Sequence, residues 1–104
     1  MVSGAKREER SIFGKRLRAA REAADLPQDK LGVRIGLDES SSSARISRYE
    51  TGVHEPPIAT ARLLAGALRI PLAYLYCDDD VLAEILLKAH KLSRDARLRL
   101  LATL

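Results

Sequence analysis

The sequence has no tryptophan, one phenylalanine and three tyrosines in 104 residues. A platform of rings for stacking the bases of single-stranded nucleic acid is therefore missing. There is one cysteine, Cys77, so an internal disulfide is impossible and a reducing, cytoplasmic setting fits. No apolar run reaches the ~18 residues that a bilayer span needs. The N-terminal Met1-Val2-Ser3-Gly4-Ala5-Lys6-Arg7 has no apolar stretch behind its charges, so no secretory leader is expected. Glycine-rich phosphate loops, Ser/His/Asp arrangements and paired catalytic acids are absent, which argues against an enzyme. Cys77, His90 and Asp78–Asp80 lack the spacing of a zinc site, so neither metal nor cofactor is expected.

What is present is aliphatic and charged. Apolar residues make up 46% and charged residues 31%, the composition of one small water-soluble domain. Net charge is +4, and it is unevenly placed. Residues 1–21 hold seven Lys/Arg against two Glu, whereas residues 55–92 hold four against five acids. A basic front half suits an anionic partner, most often nucleic acid.

Residues 1–10 are polar and aperiodic and read as a flexible basic arm. From Ser11, a possible cap, Phe13, Leu17, Ala20 and Ala24 recur at helical spacing until Pro27 breaks the pattern. A short helix fits Gln28–Ile35, stopped by Gly36, and a turn fits Leu37–Ser41. A third helix fits Ser42–Thr51, stopped by Gly52, and a fourth fits Ile58–Leu68 after Pro56-Pro57. Pro71 opens a short turn through Leu75. Asp78-Asp79-Asp80 is placed to cap a helix over Val81–Leu92, with Val81, Leu82, Ile85, Leu86 and Ala89 as its apolar face. Ser93 is placed to cap a last helix carrying Leu98, Leu101 and Leu104. The expected fold is all-α.

Two short helices joined by a turn inside a helical bundle have helix-turn-helix geometry. Leu17-Arg18, Arg21, Leu26-Pro27-Gln28, Leu31-Gly32 and Gly36-Leu37 stand in the order of a known pattern, which Ile46-Ser47-Arg48-Tyr49-Glu50, Gly52, Pro56, Leu64-Ala65, Leu68, Ile70-Pro71-Leu72 and Tyr74-Leu75 continue. With these residues the sequence resembles the lambda-repressor/Cro-type (XRE) helix-turn-helix family. The resemblance implies a five-helix helix-turn-helix domain over residues 11–77, with residues 78–104 as a C-terminal helical hairpin. It implies a sequence-specific regulator, a bacterial or prophage repressor that binds double-stranded DNA at a palindromic operator as a homodimer. Gln28 would contact a phosphate and brace a base reader. Ser42, Ser43, Ala44, Ser47 and Arg48 would face the major groove, and Thr51 the backbone. The second reading of Ser42 is a helix cap alone. Arg21 and Glu50 would form a buried ion pair.

The geometry of the third helix independently sends Ser43, Ser47 and Arg48 opposite Ile46 and Tyr49. Gly36 and Ile46 stand ten residues apart, four more than the family's usual spacing. Either the turn is longer or the recognition helix gains a turn at its start. Asp25 and Arg69 stand where the family commonly has glycine, and Pro27 where it has Ser or Thr. The apolar C-terminal helices are expected either to extend the core or to form a dimer interface. A second reading makes the whole chain an interaction module, an antitoxin or adaptor, whose C-terminal helices bind a protein partner.

Overall fold

The computed structural model describes residues 12–104, so the expected basic arm and the cap at Ser11 lie outside the described residues. These residues form α1 (Ile12–Ala23), α2 (Gln28–Arg34), α3 (Glu39–Thr51), α4 (Ile58–Leu68), a 3-10 turn (Leu72–Tyr76), α5 (Asp80–His90) and α6 (Arg94–Thr103). No strand occurs among them, and the fold is all-α. The first four helices and the 3-10 turn enclose one core, α5 adds Ala83 and Leu87 to it, and α6 follows outside it.

The core is aliphatic because the sequence offers little else. Leu17, Leu31, Ile46, Leu64 and Leu75 are fully buried, one from each of the five elements. Each such side chain is worth roughly 1.5–3 kcal/mol on leaving water. On α1 the buried line is Phe13, Leu17 and Ala20, while Ala24 lies past the helix end and is exposed. Arg16 stands inside that apolar stripe and is itself buried. Its Nε donates to the Cys77 carbonyl at 2.8 Å and its Nη2 to Asp80 at 2.9 Å, and the guanidinium lies 5.7 Å from the centre of the Tyr74 ring. Arg16 thus ties α1 to the 3-10 turn, to the link behind it and to the first residue of α5.

Chain reversals follow local chemistry. Asp25 and Arg69 both adopt left-handed backbone, with φ of 55° and 56°. These are the two positions where the family pattern carries glycine. Gly52, at φ 79°, ends α3 without side-chain strain. Pro57 and Pro71 precede the first residues of α4 and the 3-10 turn. They favour an extended entry, since a proline restricts the residue before it and cannot donate.

Of the apolar face expected on α5, Val81, Leu82 and Ile85 are 71%, 49% and 52% exposed, and Leu86 and Ala89 are half-buried. The helix packs instead through Ala83, which is buried, and Leu87. At 100° per residue, Asp80, Ala83 and Leu87 lie nearly opposite the larger aliphatic stripe. The side with the small Ala83 meets the body, with the Arg16–Asp80 contact at its start, and the widest apolar arc does not. Through Ala83 and Leu87 α5 packs against the body. Asp79 caps α5 by accepting from the Leu82 amide at 2.8 Å, and Ser93 caps α6 through the Ala96 amide at 3.1 Å. No residue of α6 is buried, and Arg97 holds it to α5 through the Ala89 and His90 carbonyls.

Candidate nucleic-acid interface

α2 and α3 cross closely because Gly32 brings no side chain to their contact point. A Cβ on Gly32 would come within 1.8 Å of the Ser42 hydroxyl and 2.9 Å of the Ser42 Cβ. The Ser42 hydroxyl donates to the Asp29 carbonyl at 2.6 Å, and Ser42 has no exposed surface. The expectation that Ser42 faces outward is therefore corrected: it fastens the two helices together. The expected start of α3 at Ser42 is corrected as well. Asp38 precedes the helix, accepts from the Ser40 hydroxyl and the Ser41 hydroxyl, and α3 begins at Glu39. The four extra residues thus become one added turn at the front of α3, and the connecting turn stays short.

The inner side of α3 is fixed by Ile46, Tyr49 and Glu50, all buried. Glu50 meets Arg21 in a two-point contact, Nε to Oε2 at 2.5 Å and Nη2 to Oε1 at 3.1 Å. Arg21 also donates to the Leu26 carbonyl at 3.0 Å. The hydrogen bond that Arg21 donates to Glu50 holds its guanidinium even more firmly protonated than usual. Gln28 joins the same cluster: its Nε2 donates to Glu50 Oε1 at 3.0 Å, and its Oε1 accepts from the Ser43 hydroxyl at 3.3 Å. One carboxylate therefore fixes the end of α1, the first residue of α2 and, through Gln28, the outer edge of α3.

The outer face of α3 carries Ser40, Ala44, Ser47, Arg48 and Thr51, successive positions opposite the buried line. Ser43, Ala44, Arg48 and Thr51 are exposed and Ser47 is half-buried. The Thr51 hydroxyl donates to the Ser47 carbonyl at 3.0 Å, which occupies its proton inside the helix. From Ser40 to Arg48 no acid stands on this side, and Arg45 adds a second exposed cation on its flank. Sequence reasoning did not single out Ser40, Arg45 or Arg16. The first two became visible only once the added turn fixed the helical phase. Arg16 had a signal in the sequence, a charge in the middle of an apolar stripe. Among the described residues no three His, Cys, Asp or Glu side chains are grouped to hold a metal, and no helix is long and apolar enough to cross a membrane.

Two helices crossed at a glycine, the second with a polar outer face and both braced by one buried carboxylate, are a helix-turn-helix. The corresponding family model, helix-turn-helix, matches residues 17–75, more than half of the chain, and the chain belongs to that family. The family is one of DNA-binding proteins and not of enzymes. Among solved structures the chain is similar to the crystal structure of transcriptional regulator BswR, with 43% sequence identity and a TM-score of 0.83. That likeness covers 86% of this chain and 89% of the other. The comparison with curated proteins gave no match.

Proposed function

We propose that the protein is a sequence-specific transcriptional regulator, a bacterial or prophage repressor that binds a palindromic operator as a homodimer in the cytoplasm. The observation that carries this reading is the acid-free outer face of α3, held in fixed register by the Gln28–Glu50–Arg21 cluster. A major groove about 12 Å wide admits one helix. Arg48 has the fork that takes guanine O6 and N7 together, and Ser43 and Ser47 bond either base type. Ala44 lets the helix approach base edges closely. Gln28 keeps one amide proton for a phosphate after its contact to Glu50. Its register is fixed before DNA arrives, which limits the ordering cost on binding.

The likeness to a transcriptional regulator supports the regulatory role. A second reading, an interaction module, is favoured by one observation, the exposed leucines of α5 and α6. Selection from a random duplex library at near-physiological salt separates the two. An enriched inverted repeat is the expected result. A dimer that neutralises ~6–8 phosphates gives log K falling against log salt with a slope of about −5 to −7. No enrichment by the folded protein overturns the regulator in favour of the interaction module.

A further inference from the structure

Two features of the surface are incomplete, and they are complementary. The first is α6, ten residues with none buried. Isolated helices shorter than ~12–15 residues are marginal in water, so an ordered α6 needs a surface to lie on. Its Leu98, Leu101 and Leu104 are 50%, 66% and 91% exposed. Of thirteen exposed large hydrophobics among the described residues, eight lie beyond residue 80. The second feature is a groove of about 340 Å³ between α1 and α5. Its floor is Ala19, Ala20, Ala23 and Ala24, with Leu68, Ile70 and Leu87 on its walls. Ala19, Ala23 and Ala24 are open to solvent, so the chain's own α6 does not fill the groove. Arg97 instead pins α6 to the last carbonyls of α5.

We infer that a second copy of this chain fills the groove with its α6, and that the exchange is reciprocal. Leucines on a helix seat into holes left by alanines on a facing one, the size match by which helices pack. Charge agrees. Glu84 lies on the groove wall and makes no salt bridge among the described residues, while α6 brings Arg94, which shares the side of Leu98 and Leu101. Lys91 and Arg69 line the same groove, and Asp95 stands on the flank of the inserted helix as the acid within reach of them. A two-fold axis makes each copy both donor and acceptor of a helix, so both features are satisfied at once and no open end remains to polymerise. The inference rests on the homodimer proposed above and adds which surfaces meet.

Sedimentation of the full chain and two variants tests it. Leu101→Asp spoils the inserted helix, and Ala23→Arg fills the groove. Both positions are exposed in one chain, so circular dichroism melts of the variants should stay near that of wild type. Wild type is expected to sediment as a dimer and each variant alone as a monomer of half that mass. Their mixture should contain more dimer than either variant at the same total concentration, because one sound α6 and one open groove remain. Wild type that is monomeric overturns the homodimer itself. A dimeric Ala23→Arg protein, or a mixture no heavier than its parts, leaves the homodimer but overturns the exchange in favour of α5 and α6 stripes packed face to face.

Discussion

The body of the molecule and its C-terminal extension are built from similar helices but meet water differently. In the body, five elements each contribute a fully buried aliphatic side chain, and its charged cluster is sealed by hydrogen bonds. In the extension, α5 contributes Ala83 and Leu87, and α6 buries nothing. The comparison teaches that amphipathicity alone does not say where a helix lies. α1 and α5 both carry apolar stripes at helical spacing, yet α1 turns its stripe inward and α5 turns the wider one out. What differs is what each helix meets: α5 reaches the body through Ala83 and Leu87, while Arg16 holds its first residue, Asp80.

The largest expected effect comes from breaking the body at its most enclosed charge. Glu50→Ala leaves the Arg21 guanidinium and the Gln28 amide without their shared acceptor. Side-chain exposures in the pair are 13% and 4%, so water makes poor compensation. Removing one member of a buried pair costs about 3–5 kcal/mol, a third or more of the stability of a typical domain. Thermal denaturation should show a loss of that order in Glu50→Ala and also in Arg21→Ala. Loss of DNA binding with an unchanged melt would instead assign these residues to the interface.

A smaller effect is expected where the two helices cross. Gly32→Ala places a Cβ inside the space of Ser42 and forces α2 and α3 apart. Overpacking of this kind costs about 1–3 kcal/mol. Adding Ser42→Ala removes the hydroxyl overlap but not the 2.9 Å approach to the Ser42 Cβ, so it should restore only part of the loss. Full rescue would mean that the hydroxyl alone sets the helix spacing.

These two sites also mark what was legible in the sequence. The helix order, the stops at Pro27, Gly52 and Pro56-Pro57, and the inward Ile46 and Tyr49 follow from periodicity and breakers, because each is decided by neighbours within a few residues. The meeting of Arg21 and Glu50, 29 positions apart, is not a local property and was readable only through family resemblance. Ser42 was misplaced because four serines in a row carry no periodic signal. Its burial is decided by Gly32, a residue on another helix. The orientation of α5 was unreadable for the same reason, since Ala83 looks weaker than Leu82 or Ile85 until Arg16 and Asp80 are seen together.

A change in the opposite direction is expected at the end of α4. Arg69 sits at φ 56° and ψ 46°, with its amide donating to the Gly66 carbonyl at 3.2 Å. A side chain in this region costs about 1–2 kcal/mol, and glycine gives back part of that through greater freedom in the unfolded chain. Arg69→Gly should therefore stabilise the body by about 0.5–1 kcal/mol, measured by chemical denaturation. A destabilised variant would show that the Arg69 side chain, which lines the α1–α5 groove, holds that region together.

The mildest effect is expected at the link between body and extension, and it depends on pH. Hydrogen bonding from Arg16, with the charges of Lys15 and Arg16, holds the Asp80 carboxyl below its ordinary value of 3.8. The folded state therefore favours the ionised form more than the unfolded chain does. The resulting stability is present in full above the ordinary carboxylate range and disappears as pH falls through the depressed folded value. Asp80 is open to solvent, so the gain is small and sensitive to salt. Thermal melts of wild type and Asp80→Asn should differ at neutral pH, with wild type the more stable. The two curves should converge as pH drops below about 4, where free carboxyls take up protons. Arg16 keeps its bond to the Cys77 carbonyl in the variant, so the body should stay folded while the start of α5 loosens. Faster amide exchange at Ala83 and Leu87 in Asp80→Asn, with Leu17 and Ile46 unchanged, would locate the loosening there. A difference between the two proteins that is the same at every pH would show that the Asp80 charge does not anchor α5.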